Sequence, residues 1–186
     1  MANLRERNQQ NRELVERVFL PLEEAELSWQ PAPHEWSVDQ CFQHLVSAFE
    51  WKSAEFIPAL DKPEPPSSDG IFRPSWLARR SFDWQFNPES KIKTGGKRNP
   101  KAAYRAGTLA RWLAQQARLA EMIQQAAEAD LQAKCWINKW VPLRYNLGDY
   151  LNFYVLHDEL HIDQAQRALA AFRQQAESVP AELSAA

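Results

Sequence analysis

Two of the four histidines stand four residues apart, in the run His157-Asp158-Glu159-Leu160-His161. On an α-helix that separation puts both imidazoles on one face with Cβ atoms ~5–6 Å apart, close enough to converge on one metal ion. Tyr150, Tyr154, Gln164 and Ala168 fall on or near the same stripe. That is also the side expected to face a bundle interior. A third histidine, His44, lies on the inward side of an earlier helix, with Cys41 one turn before it and the small Ala48 one turn after. Three neutral imidazoles from two helices would make a nitrogen-only site with at least one position open to water or substrate. That pattern belongs to catalytic sites rather than closed structural ones. Histidines at helical spacing also serve as packed or exposed residues, so the spacing leaves metal binding and plain packing both open.

Other readings of this run are weaker. It is not the His-Glu-x-x-His of zinc proteases, because Asp158 takes the second place and Glu159 falls one residue late. His-Asp-Glu-Leu acts as a retention signal only at a C-terminus, and here it is internal. His34 is expected to be an exposed loop histidine. Asp158, Glu159 and Asp163 either orient the histidine rings or form a solvated acidic face. Gln164, one turn after His161, is placed to contact a metal-bound water. Cys41, one turn before His44, is expected to be a small buried residue rather than to approach the metal, Cys135 is expected to be inert, and two cysteines make no disulfide framework.

Helices must position these groups, and helix signals dominate the chain, with only five glycines. Leu14, Val15, Val18 and Phe19 give a first helix from about Leu4 to Leu20 its apolar face, and Pro21 ends it. Pro31 and Pro33 make 28–36 a loop. Ser37 with Gln40 three residues on reads as a capping box for a second helix reaching about Leu60, with Trp36 and Cys41 as a hydrophobic staple. Asn99 and Pro100 predict the start of a third helix running to about Ala129. Residues 135–145 read as an extended connector. Asn146 with Asp149 caps a fourth helix ending near Phe172. The expectation is an all-α four-helix bundle over residues 1–175, with a frayed tail at 176–186. The long 61–99 connection lets the second and third helices run parallel.

Within that region, residues 71–101 carry eight Lys or Arg against Asp83 and Glu89, with Phe72, Trp76, Phe82, Trp84 and Phe86 interleaved. The favoured reading is a crossover that packs its aromatics on the bundle and exposes its charges. A site for a small anion comes next, and single-stranded nucleic acid last. SWLARRSFDW (75–84) is a candidate short helix, and KIKTGGKRNP (91–100) a mobile loop.

The 186 residues suit one domain, and the net charge of −2 points to no class of partner. No run approaches the ~18 apolar residues of a membrane span, and MANLRERNQQNREL lacks the apolar stretch of a secretory signal. The expected location is the cytoplasm, with no membrane partner, and a homodimer is plausible on base rates.

PAPHEWSVDQCFQHL (31–45) resembles the Trp-Ser…His-Leu segment of the DinB-like superfamily, and NLGDYL…HDELHIDQ (146–164) resembles its last-helix motif. The resemblance implies a four-helix bundle of up-down-down-up topology. It also implies a three-histidine site of His44, His157 and His161 for zinc, nickel or iron. Relatives include metal-dependent hydrolases and thiol S-transferases, so the implied function is activation of a low-molecular-weight thiol or of water for a small-molecule substrate, with thiol transfer placed ahead of hydrolysis. A non-enzymatic metal-binding module is the alternative.

Overall fold

The computed structural model describes residues 1–61, 72–86, 100, 103–138 and 141–183. Four long helices, α1 (Ala2–Val18), α3 (Val38–Leu60), α5 (Thr108–Gln125) and α6 (Leu147–Leu183), form the bundle. Between them lie the short helices α2 (Glu24–Ser28) and α4 (Trp76–Gln85) and an antiparallel hairpin, β1 (Lys134–Asn138) and β2 (Val141–Asn146).

Side-chain partners set the helix directions. At the start of α3, Asp39 accepts from the Arg105 amide and Gln43 donates to the Ala103 carbonyl, both just ahead of α5, so α3 and α5 run parallel. Along α3 and α6, His44 meets His161 while Phe56, further on, stacks on Tyr150, further back, so these two run antiparallel. Leu4 of α1 clusters with the first turns of α6, and Val15 with Ile162 and Leu169, so α1 and α6 are parallel. The result is the expected up-down-down-up order. A parallel α3–α5 pair requires a connection as long as the bundle, which the 61–107 segment supplies.

The core is divided into two clusters. One joins Leu4, Phe49, Phe56, Leu119, Met122, Ile123 and the start of α6 with the hairpin and α4. The other joins Val15, Phe19, Phe42, Leu45, Leu109, Trp112 and the later part of α6. Phe42 and Phe56 have no exposed surface. Each such burial stabilises the fold by roughly 1.5–3 kcal/mol. The histidines fall where the two clusters meet.

Local signals account for the starts of the two helices that carry them. Ser37 Oγ accepts from the Gln40 amide (3.2 Å) while Gln40 Oε1 accepts from the Ser37 amide (3.0 Å), the capping box read in the sequence. At the head of α6, the fully buried Asp149 accepts from the Asn146 amide (3.0 Å) and from the Ser75 amide (3.1 Å). One carboxylate thereby ties the entry of α4 to the start of α6.

Several boundaries differ from the sequence expectation. The third helix begins at Thr108, after Gly107 with φ +81°, and not at Pro100. Asp39 and Gln43 hold the backbone at 103 and 105, which takes those residues out of helical pairing. Asn99 lies outside the described residues. The extended connector is a hairpin, with Cys135 opposite Tyr145 and Trp136 opposite Arg144. α6 continues to Leu183 instead of stopping near Phe172, because RQQAES (173–178) contains no residue that ends a helix.

α4 confirms the short helix within the crossover, but its aromatics divide. Phe72, Phe82 and Phe86 pack on the core, whereas Trp76 and Trp84 stay 75% and 62% exposed. The loop expected at 91–99 lies outside the described residues.

The glycine of the Leu-Gly-Asp run has a packing reason. A Cβ on Gly148 would overlap the ring of Phe72, so this glycine lets the crossover lie directly on α6. Gly148→Ala is therefore expected to cost ~1–3 kcal/mol through forced displacement of that ring. Gly107→Ala meets no neighbour and should cost only the left-handed backbone penalty, about 1–2 kcal/mol. Urea unfolding of the two variants checks this, and a fully neutral Gly148→Ala would show that Phe72 is not held there.

Candidate metal centre

The side chains of His44, His157 and His161 converge. One ring nitrogen from each lies within 4.8 Å of the others. The ring centroids are 5.0 Å apart for His44–His157, 4.6 Å for His44–His161 and 4.7 Å for His157–His161. His44 and His161 are buried, and His157 is partly open. His34 is exposed and stands outside this group.

Several features fit a cation. His44 Nε2 and His157 Nε2 lie 3.1 Å apart. Two nitrogens bound tetrahedrally at 2.0–2.1 Å would be separated by about 3.3 Å, so the spacing is close to that of a ligand edge. Without a cation, one of these nitrogens must donate a proton to the other, since two lone pairs at that distance repel. His161 Nδ1 is 2.9 Å from Gln164 Oε1. An amide oxygen only accepts, so Nδ1 carries the proton and Nε2 keeps its lone pair. Burial first, then the neighbouring His44, pushes the His161 pKa down to about 3, so the ring is neutral at physiological pH, as a ligand must be.

The walls come from residues whose part the sequence did not reveal. Trp36 stacks on His161 (5.5 Å, 24°) and lies against His44 (5.0 Å). The indole read as a staple thus covers two of the three histidines. Phe153 stacks on His157 (5.2 Å, 20°), and Phe86, at the end of α4, stands 6.5 Å from the same ring. Gln164, expected to face a metal-bound water, instead orients His161. The helical stripe included Gln164; Phe153, one turn before His157, was not read from it although its spacing could have shown it, whereas Trp36 and Phe86 arrive through tertiary folding alone.

The acidic neighbours are engaged elsewhere. Glu159 is paired with Arg7 of α1 through Nε at 2.7 Å and Nη2 at 2.5 Å. Asp163 pairs with Arg167 on the exposed side of α6. Asp158 accepts from Trp112 Nε1 (3.0 Å), on the side of α6 that faces α5. Nearby, Asn8 donates to Gln116 (2.6 Å), a buried polar contact between α1 and α5. Burial pushes the Asp158 pKa up to about 7, against the lowering effect of Trp112 and Gln116. Burial likewise raises the Cys41 thiol to about 12 and the Cys135 thiol to about 11, so neither is a thiolate at neutral pH.

Fold and site together define a four-helix bundle with three inward histidines on two helices. The DinB superfamily model matches residues 7–165, and the chain belongs to that superfamily. Among solved structures it is similar to YfiT from Bacillus subtilis, described as a probable metal-dependent hydrolase with an unusual four-helix bundle topology. The TM-score is 0.54 at 15% identity, covering 90% of this chain and 84% of that one. No curated protein matches the sequence.

Two groups at this site oppose each other in pH. Asp158 has its pKa raised from 3.8 to about 7 on folding, so its contribution to stability declines as pH rises through that interval. His161 has its pKa lowered from 6.5 to about 3, so its contribution grows with pH across a nearly coincident interval. Asp158→Asn keeps an acceptor for Trp112 and removes the declining component. With chelator present, the melting temperature of Asp158→Asn relative to the unmodified protein should be higher at about pH 7.5 than at about pH 4.5. An equal difference at both values would mean that Asp158 is already ionised in the acid range.

Proposed function

We propose that His44, His157 and His161 hold one divalent transition metal (zinc, nickel or iron) and that the protein is a metal-dependent enzyme of hydrolase type acting on a small molecule. The observation that carries this is the convergence of three imidazole nitrogens within 4.8 Å, with the His161 tautomer set by Gln164. Membership of the superfamily and the likeness in fold to YfiT support the same reading.

When bound, such a metal lowers the pKa of a coordinated water to ~7 and so supplies a nucleophile at neutral pH. The protein's own residues do the positioning. Gln164 holds the His161 ring, the α3 capping box fixes the rise to His44, and Trp36 and Phe153 shield the rings from bulk water. A low local dielectric strengthens every charge interaction made there.

A second reading is transfer of a low-molecular-weight thiol at the same three histidines. The two cysteines are buried and protonated, so any thiol must come from the substrate. Coordination would ionise that thiol as readily as water.

Metal analysis of the purified protein should find about one equivalent per chain. His44→Ala, His157→Ala and His161→Ala should each lose it, and His34→Ala should keep it. Gln164→Ala should weaken affinity about 10–100-fold while leaving the three ligands in place. Full metal content in His44→Ala would overturn a site shared by two helices. Metal-dependent cleavage across an ester and amide panel supports the hydrolase. Chelator-sensitive thiol conjugation in its place supports the transferase, and inertness in both assays leaves a binding module.

A further inference from the structure

A cavity of about 350 Å³ lies between α6 and the loop that leads into α3. That is within the ~300–1,000 Å³ range of small-molecule sites. No histidine lines it, yet two of its wall residues, Trp36 and Gln164, are residues that contact His161. One layer of side chains thus separates this cavity from the candidate metal centre.

The lining sets the chemistry of a ligand. Ala168 and Ala171 form a small apolar floor on α6, and the indole of Trp36 adds an apolar wall. Each wall also brings one charge. Glu35 from the loop and Arg167 from α6 line the cavity, and both are exposed. No described residue pairs with the Glu35 carboxylate. Arg167 pairs with Asp163, but a guanidinium keeps donors to spare beyond one carboxylate. Gln164 supplies further donors. Its oxygen faces His161, and its amide nitrogen has no partner among the described residues. A simple anion would be opposed by Glu35, and a simple cation by Arg167. A small zwitterion answers every group. Its carboxylate accepts from Arg167 and Gln164, its ammonium donates to Glu35, and its apolar part rests on the alanines and the indole.

Gln164 also connects the cavity to the rings. A glutamine amide can sit either way round, since its oxygen and nitrogen are nearly alike in shape. With the oxygen on His161 Nδ1, that nitrogen carries the proton and Nε2 keeps its lone pair. Turned over, the amide nitrogen would donate to Nδ1 and leave the proton on Nε2. A carboxylate in the cavity can accept from the amide nitrogen only in the first orientation.

We propose that this cavity binds a small apolar α-amino acid, and that its occupation strengthens metal binding by holding the Gln164 amide with its oxygen on His161. The amino-acid site stands on the cavity itself, and only the coupling rests on the three-histidine reading above.

Isothermal titration calorimetry on the full chain, as purified and after chelator treatment, tests the site. L-Leucine should bind in both states. Its analogues 4-methylpentanoate, without the ammonium, and 3-methylbutylamine, without the carboxylate, should bind about tenfold more weakly or worse, since each leaves one charged wall residue unanswered. Glu35→Gln should remove the preference for leucine over 4-methylpentanoate, and Arg167→Gln should weaken both. Ala171→Phe should fill the cavity and abolish binding, with circular dichroism confirming that the variant is folded. Zinc affinity measured against a chromophoric chelator tests the coupling. Leucine should tighten zinc binding in the unmodified protein relative to Ala171→Phe, in which only leucine's own weak chelation of zinc remains. Failure of leucine, valine and phenylalanine to bind overturns the site, as does equal binding of 4-methylpentanoate or indifference to Glu35 and Ala171. Zinc affinity that leucine leaves unchanged overturns the coupling. Leucine binding by a protein that takes up no metal would uphold the site and overturn the three-histidine reading, and a metal-loaded protein blind to all three amino acids would do the reverse.

Discussion

Three imidazoles inside a helical bundle pose a problem that the rest of the structure is arranged to meet. Each ring carries one lone pair and one N–H, and burial removes the water that would satisfy them. His44 Nε2 and His157 Nε2 stand 3.1 Å apart, too close for two lone pairs without a proton or a cation between them. The third ring is held by Gln164 so that its lone pair is available too. The antiparallel packing of α3 on α6 puts these groups at one level, and that level is the seam between the two core clusters. A seam is where polar groups displace least apolar packing.

Rigidity around the rings comes from polar contacts that do not touch them. The Arg7–Glu159 pair fixes α1 to α6 one turn from His157 and His161. Trp112 fixes α5 to α6 through Asp158, immediately after His157. Asp39 and Gln43 fix the entry of α5 to α3 just before His44. Each helix around the site is thus tied by a directional bond within about one turn of a histidine. Directional bonds fix helix register in a way that apolar packing alone does not. The cost is visible at Asp158, whose carboxylate is buried enough to hold its proton towards neutrality.

The crossover links this framework to the surface. Phe72 lies on Gly148, and Asp149 binds the amide of Ser75, so the start of α6 and the entry to α4 form one unit. The far end of α4 brings Phe86 towards His157. The same short helix therefore faces the candidate site at its C-terminal end and presents its tryptophans outward.

Much of this was legible in the residues. The His157–His161 pair, the apolar faces and the Ser37–Gln40 capping box are local patterns, because a helix maps sequence spacing directly onto a face. The motifs at 31–45 and 146–164 carried the family and, through it, the topology. What spacing could not supply was anything that depends on where separate elements land. The start of α5 was misplaced because Asp39, more than sixty residues earlier, takes the Arg105 amide that a helix at Pro100 would have used. Trp36 has the sequence position of a staple, yet its ring lies over His44 and His161. Asp158 read as either a partner for the rings or part of a solvated acidic face, and it is neither: it is buried and accepts from Trp112 of another helix. Phe82 and Trp84 differ by two positions on one helix, and only the fold decided which was buried. Sequence determined which groups share a helix face, since that follows from backbone geometry within one element. Tertiary structure decided which faces meet and which hydrogen-bond partners remain available, since each is settled by competition among groups distant along the chain.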